Sequence, residues 1–174
     1  MINSHRKVLS DYTGKTLIFH QPSIVKKNYQ LLFQDEIIGS LEITGTLKIN
    51  SKVRIFDKEW EIRKESFWKN DYGIYQLGYE LSMAVYSGKV FGSGVLKLEK
   101  GIILRFVHNI WKGISEVKTE SGKILISAKD KSFWKTDREV SILEKNEIID
   151  SKPWILMLLM FIDKTRQKHS AVVT

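Results

Sequence analysis

The sequence predicts a mainly β fold, an antiparallel β-barrel of about 10–12 strands closing around one apolar C-terminal helix. Three observations point there. Apolar and polar residues alternate with a period of two through most of the chain, as they do on half-buried strands. Turn-forming residues separate these stretches at hairpin intervals. Near the C-terminus the alternation stops, and residues 153–162 run without a single polar side chain.

Taken in order, the first 25 residues are expected at the periphery of a single domain spanning 1–174. They begin with a basic stretch that lacks the apolar run of a secretory signal, so no signal peptide is expected. Strands are expected over 29–33 and 37–43. In Lys52-Val53-Arg54-Ile55, Val53 and Ile55 face inward; in Glu59-Trp60-Glu61-Ile62-Arg63, Trp60 and Ile62 do so and the charges face water. Residues 78–86 read as a strand with Tyr79, Leu81, Met83 and Val85 on one face. Further strands are expected over 90–98, 102–107, 114–119, 124–129 and 140–143. Asn50-Ser51, Ser87-Gly88-Lys89, Lys100-Gly101 and Glu120-Ser121-Gly122-Lys123 supply turns. Pro22 and Pro153 fall outside every expected strand. The short connections favour an antiparallel meander over parallel crossover units.

The apolar segment reads as a central helix over 152–164. Its Leu and Met residues favour helix, Asp150 and Ser151 offer caps, and Pro153 suits a first turn. Lys164, Arg166 and Lys168 follow, as a helix C-terminus prefers. A helix apolar on all sides is buried on all sides or lies in a membrane. Ten residues at about 1.5 Å each cover about half of a ~30 Å hydrocarbon core, so length decides for burial inside the sheet.

Composition bounds the chemistry. The 174 residues contain no Cys, which removes disulfides, thiol catalysis and thiolate metal sites and suits a reducing cytoplasm. The four His residues are scattered, without metal-ligand spacing. His108-Asn109 reads as a turn. The net charge of +8 favours anionic partners, yet the basic residues are spread along the chain, as on a solvated surface. No nucleophile frame is present. Gly92-Ser93-Gly94 lacks the third glycine of a dinucleotide loop and reads as strand. Glu59 and Glu61 are expected on the outer face, paired with Arg63. Neither a catalytic activity nor a cofactor is expected.

Ser66-Phe67-Trp68-Lys69-Asn70-Asp71 recurs as Ser132-Phe133-Trp134-Lys135-Thr136-Asp137, and Trp111-Lys112 adds a third Trp-Lys pair. Tryptophan is mostly buried in proteins, so Trp68, Trp111 and Trp134 are expected as core or barrel-rim anchors with their lysines facing water. The sharper alternative is a membrane interface, with rings at headgroup level and ammonium groups on phosphate, or stacking on single-stranded bases.

Strands followed by one apolar helix give this chain its resemblance to the tubby-like barrel. That superfamily includes the tubby C-terminal domain, phospholipid scramblases and plant LURP-one-related proteins. The resemblance covers roughly residues 27–168. It is carried by Tyr29-Gln30-Leu31-Leu32-Phe33 with Ile38-Gly39-Ser40-Leu41, by Glu59-Trp60-Glu61-Ile62 leading to Ser66-Phe67-Trp68-Lys69, and by Pro153-Trp154-Ile155-Leu156-Met157-Leu158-Leu159. The pattern is similar to that of small bacterial members. The resemblance implies a barrel around its last helix and a non-catalytic module that contacts anionic phospholipid. The basic residues with which tubby domains bind phosphoinositides do not map onto positions here. Asp150-Ser151-Lys152-Pro153 lacks the alternating oxygen ligands of the scramblase calcium segment. Lys52, Arg54, Lys69, Lys112 and Lys135 are the candidate anion-binding residues, on a cytoplasmic protein peripheral to the membrane. A protein partner or scaffold role and a nucleic-acid-binding barrel are the alternatives.

Overall fold

The computed structural model describes residues 7–23, 26–45, 50–66, 68–89, 93–131 and 137–171, the last five by backbone alone. These hold twelve strands, β1 (Thr16–His20), β2 (Asn28–Phe33), β3 (Glu36–Thr44), β4 (Asn50–Ile55), β5 (Lys58–Lys64), β6 (Asn70–Gln76), β7 (Ala84–Gly88), β8 (Gly94–Lys97), β9 (Ile103–Asn109), β10 (Ile114–Thr119), β11 (Ile124–Asp130) and β12 (Arg138–Ile142). Two helices follow, α1 (Glu147–Ser151) and α2 (Trp154–Ala171). Every strand pairs antiparallel with its sequence neighbours, and β1 pairs with β12, Leu17 opposite Val140, so the sheet closes into a barrel. Closure leaves no unpaired edge.

The period-two pattern builds the wall as expected. On β4, Ser51, Val53 and Ile55 are buried while Lys52 and Arg54 are exposed. On β5, Trp60 and Ile62 point in, and Arg63 Nε donates to Glu61 Oε2 at 2.8 Å outside. The outer wall thus carries Glu42, Lys52, Arg54, Glu59 and Arg105 where a membrane-spanning barrel carries an apolar band.

α2 fills the barrel. From Trp154 to Ile162 no side chain is more than 5% exposed. The helix packs against β3, β4 and β10, and in the closed order β4 and β10 are six strands apart, on opposite walls. An element in contact with both walls threads the lumen. Phe161 meets Tyr72 edge-on at 5.0 Å between ring centroids. Leu158→Ala should therefore cost about 2–5 kcal/mol, a large-to-small change in a closed core. Urea midpoints check this against Leu81→Ala, an exposed site expected to shift stability by under about 0.5 kcal/mol. Equal midpoints for the two variants would place the helix outside the barrel.

Several expectations need correction. The segment expected at the periphery contributes a 3-10 turn, Leu9–Tyr12, and β1, which closes the sheet. The expected strand over 78–86 is a loop up to Met83; only β7 is strand, and Ala84 and Tyr86 are its inward residues. Tyr79, Leu81, Met83 and Val85 are exposed. Asn70–Gln76, read as no element, is β6. Asp150 and Ser151 lie inside α1, whose cap is Asn146, its Oδ1 accepting from Ile148 N at 2.9 Å. α2 starts after the break at Lys152 and Pro153, with Ile155 N donating to Lys152 O at 3.0 Å.

An up-and-down barrel sorts its connections by parity. Those leaving odd-numbered strands lie at one rim, and those leaving even-numbered strands at the other. α1 and the start of α2 sit at the second rim, where Lys152 Nζ meets Glu99 Oε1 at 2.8 Å. α2 reaches the first at Asp163, which contacts Ser115 on β10 and Arg138 on β12.

Candidate functional site

At the first rim a buried polar cluster ties α2 to the wall. Arg138 opens β12 yet is 1% exposed, because its side chain turns into the lumen toward Asp163 on α2. Its Nη1 pairs with Asp163 Oδ2, and its Nη2 donates to Gly113 O and to Ala128 O, both at 2.9 Å. Arg138 Nε lies 3.2 Å from Asp130 Oδ1, an ion pair without hydrogen-bond geometry. Ser115 Oγ donates to Asp163 Oδ1 at 2.7 Å, and His108 Nδ1 lies 2.6 Å from Ser115 Oγ. The single hydroxyl proton of Ser115 goes to the carboxylate, so His108 Nδ1 carries the proton that reaches Ser115. Here the imidazole donates to the serine, whereas a nucleophile needs it to accept, and Ser115 is buried. The cluster is a buried tie, with Ser115, Arg138 and Asp163 each at most 2% exposed. His108 belongs to β9 and points inward, a correction to its reading as a turn residue.

Burial pushes the Asp163 carboxyl up, against the pull of Arg138 and Ser115. Burial, reinforced by the Arg166 and Arg138 guanidiniums, pushes the His108 imidazole down to about 4. An unfolded imidazole titrates near 6.5, so between these values only the unfolded chain takes up the proton. The stability held in neutral His108 is complete above pH ~6.5, falls as pH drops toward ~4, and is level below. On acidification from pH ~7 to ~4.5 this group should cost about 2–3 kcal/mol. Urea unfolding at both pH values is expected to show a smaller loss in His108→Gln than in wild type.

Outside this tie stand the Trp-Lys pairs. Arg138, through Gly113 O, anchors the β9–β10 connection, residues 110–113, where Asn109 Oδ1 accepts from Lys112 N at 3.1 Å. In the β5–β6 connection, residues 65–69, Ser66 Oγ accepts from Trp68 N and Lys69 N, both at 3.3 Å. Both turns are capped by a side chain and thrust an indole outward. Trp68 is 90% exposed and Trp111 98%. The expectation of buried or rim-packed anchors is overturned for these two; Trp134 and Lys135 lie outside the described residues. Ile110 beside Trp111 is exposed as well.

Charge follows the same parity. Among the described residues, connections at this rim carry Lys26, Lys27, Lys69, Lys89, Lys112 and Lys131 against Glu65 and Asp137. Both acids are engaged, Glu65 by the Tyr75 hydroxyl and Asp137 by His20 Nδ1 at 2.7 Å. The hairpin connections of the opposite rim carry Asp35, Asp57, Glu80, Glu99 and Glu120 against Lys100 and Lys123. Lysines in ion pairs among the described residues lie at that acidic rim or on the wall, as Lys7, Lys118, Lys123 and Lys152. The basic rim has no such pair for Lys69 or Lys112.

The five sequence candidates divide accordingly. Lys69 and Lys112 share the basic rim. Lys52 sits on the wall, in register with Glu42 and Glu61, where cross-strand carboxylates offset it. Arg54 lies near the acidic rim and lines a groove there, and Lys135 is outside the described residues. Lys26, Lys89 and Lys131 join the basic rim in their place. Gly94, from the dinucleotide-like segment, leaves space inside the barrel: an added Cβ would lie 2.3 Å from the Tyr86 hydroxyl oxygen. Among the described residues no group of three His, Asp or Glu side chains is placed to hold a metal, and no helix is long and apolar enough to cross a membrane. Comparison of the chain with protein-family models, curated proteins and solved structures finds no match in any of the three.

Proposed function

We propose that this barrel is a non-catalytic module that seats on anionic membrane surfaces through its basic rim. One observation carries the reading: two capped turns on the same rim each present an almost fully exposed tryptophan followed by a lysine that has no ion pair among the described residues. Indole rings settle at the headgroup level of a bilayer, and neighbouring ammonium groups meet phosphate. Near an anionic leaflet each lysine contributes about 1 kcal/mol, within a Debye length of about 8 Å. Lys26, Lys89 and Lys131 on the same rim add to this field, while the acidic rim is held away from the surface. The barrel then stands on end, its axis toward the bilayer, and the rigid tie at Arg138 and Asp163 fixes the height of the Trp111 turn. The resemblance to tubby-like barrels supports a membrane-peripheral role, and the anionic cytoplasmic leaflet is the surface of matching charge.

Co-sedimentation with vesicles tests the reading. Binding to phosphatidylserine-containing vesicles, weakened as salt rises from low to moderate, is expected, with little binding to phosphatidylcholine alone. No binding to the anionic vesicles at low salt would refute the reading.

A further inference from the structure

The rim turned away from the proposed membrane face carries its own exposed apolar surface. The β6–β7 connection, residues 77–83, leaves Tyr79, Met83 and above all Leu81, 85% exposed, in contact with water. Gly78, with φ of 82°, and the Met83 N to Ile74 O bond at 2.7 Å turn this loop back onto β6. Beside it opens a groove of about 670 Å³. Its apolar lining is Phe56, Trp60, Met83 and Trp154, of which Met83 is the exposed one and the two tryptophans are at most 5% exposed; Asp57 and Glu59 offset Arg54 and Lys58 within it. A recess edged by the exposed Met83, with the carboxylates of Asp57 and Glu59 in its lining, suits an indole followed by an ammonium group. The opposite rim of this chain presents that pair twice.

We infer that the protein self-associates head to tail, the Trp111-Lys112 turn of one copy seating in the groove and Leu81 loop at the acidic rim of the next. Two observations commit the groove to a second copy. One rim is basic and the other acidic, so stacked barrels present complementary charge. The exposed aromatic lies on the basic rim and the recess beside exposed Leu81 and Met83 on the acidic one, so the contact joins different surfaces and repeats without closing. The net charge of +8 opposes stacking through overall repulsion, which keeps the association weak and dependent on concentration. The inference does not rest on the membrane reading, although both use Trp111; a copy bound in the stack hides its rim from vesicles.

Sedimentation velocity on the full chain at low ionic strength, from micromolar to millimolar protein, tests it with two variants. Trp111→Ala removes the tip, and Leu81→Asp spoils the receiving surface. Both side chains are exposed, so neither change opens the core. Wild type is expected to grow in average mass with concentration beyond a dimer. Each variant alone should remain monomeric, and an equimolar mixture should form a dimer and stop there, because one functional tip meets one functional groove. A wild type that remains monomeric throughout, either variant associating as wild type does, or a mixture that remains monomeric would each overturn the inference. Vesicle binding separates the two readings. Leu81→Asp should still co-sediment with anionic vesicles, and a wild type that binds vesicles while remaining monomeric removes the self-association alone.

Discussion

Alanine at both Lys69 and Lys112 is expected to lower partitioning onto anionic vesicles about 30-fold. Each lysine near a charged leaflet contributes about 1 kcal/mol, and about 1.4 kcal/mol is a factor of ten. The two are the lysines that adjoin the exposed indoles, and neither is drawn back by a carboxylate among the described residues. Both are exposed, so the double variant should unfold with the wild-type midpoint. Lys58→Ala/Lys100→Ala, an equal charge change at the acidic rim, is expected to leave partitioning within about twofold, since those groups lie beyond screening distance of the surface. Vesicle co-sedimentation at fixed low salt reads both. If the two pairs weakened binding equally, net charge alone would govern attachment and the rim would have no special role.

Asp163→Ala should destabilise the barrel by about 3–5 kcal/mol, lowering Tm by about 6–20 °C for a chain of this size. The loss arises from what remains. Arg138 is 1% exposed and keeps two carbonyl acceptors, Gly113 O and Ala128 O, but loses the buried carboxylate that balances its charge. Ser115 loses its acceptor in the same step. Adding Arg138→Met removes the stranded charge, so the double variant should recover much of the lost stability, as apolar replacement of buried ion pairs often does. Thermal unfolding of both variants at neutral pH checks the order. A single variant as stable as wild type would mean that the tie does not hold the helix in place.

The wall and its central helix were legible because both depend on local periodicity. β4 and β5 alternate cleanly, and the apolar stretch of α2 has no other place to go. The failures share a cause. Tyr79, Leu81 and Met83 alternate as a strand does, but they belong to a loop, and spacing alone cannot tell an inward face from an exposed one. β6 hid because apolar residues occupy both its faces: Tyr72 and Ile74 point in, while Tyr75 packs outside under Arg63 and bonds Glu65. β1 is short and follows a polar stretch. Missing these two strands also concealed the site. Which rim a connection joins depends on the parity of every strand before it, so the basic residues looked scattered until all twelve strands were counted. Arg138 was illegible for another reason. It opens a strand directly after Asp137, as a surface arginine would, and its partner lies on α2, brought near only when the barrel closes.

The most direct test of the basic rim as the membrane face is tryptophan fluorescence with brominated phospholipid in the anionic vesicles. Trp60 and Trp154 are buried in the barrel, so quenching by brominated chains should come mainly from the exposed rim. Wild type is expected to be quenched on binding, and Trp68→Phe/Trp111→Phe/Trp134→Phe to lose most of that quenching while vesicles are still in excess. Bound protein whose fluorescence is quenched equally in both would show that another surface meets the bilayer, contradicting the account.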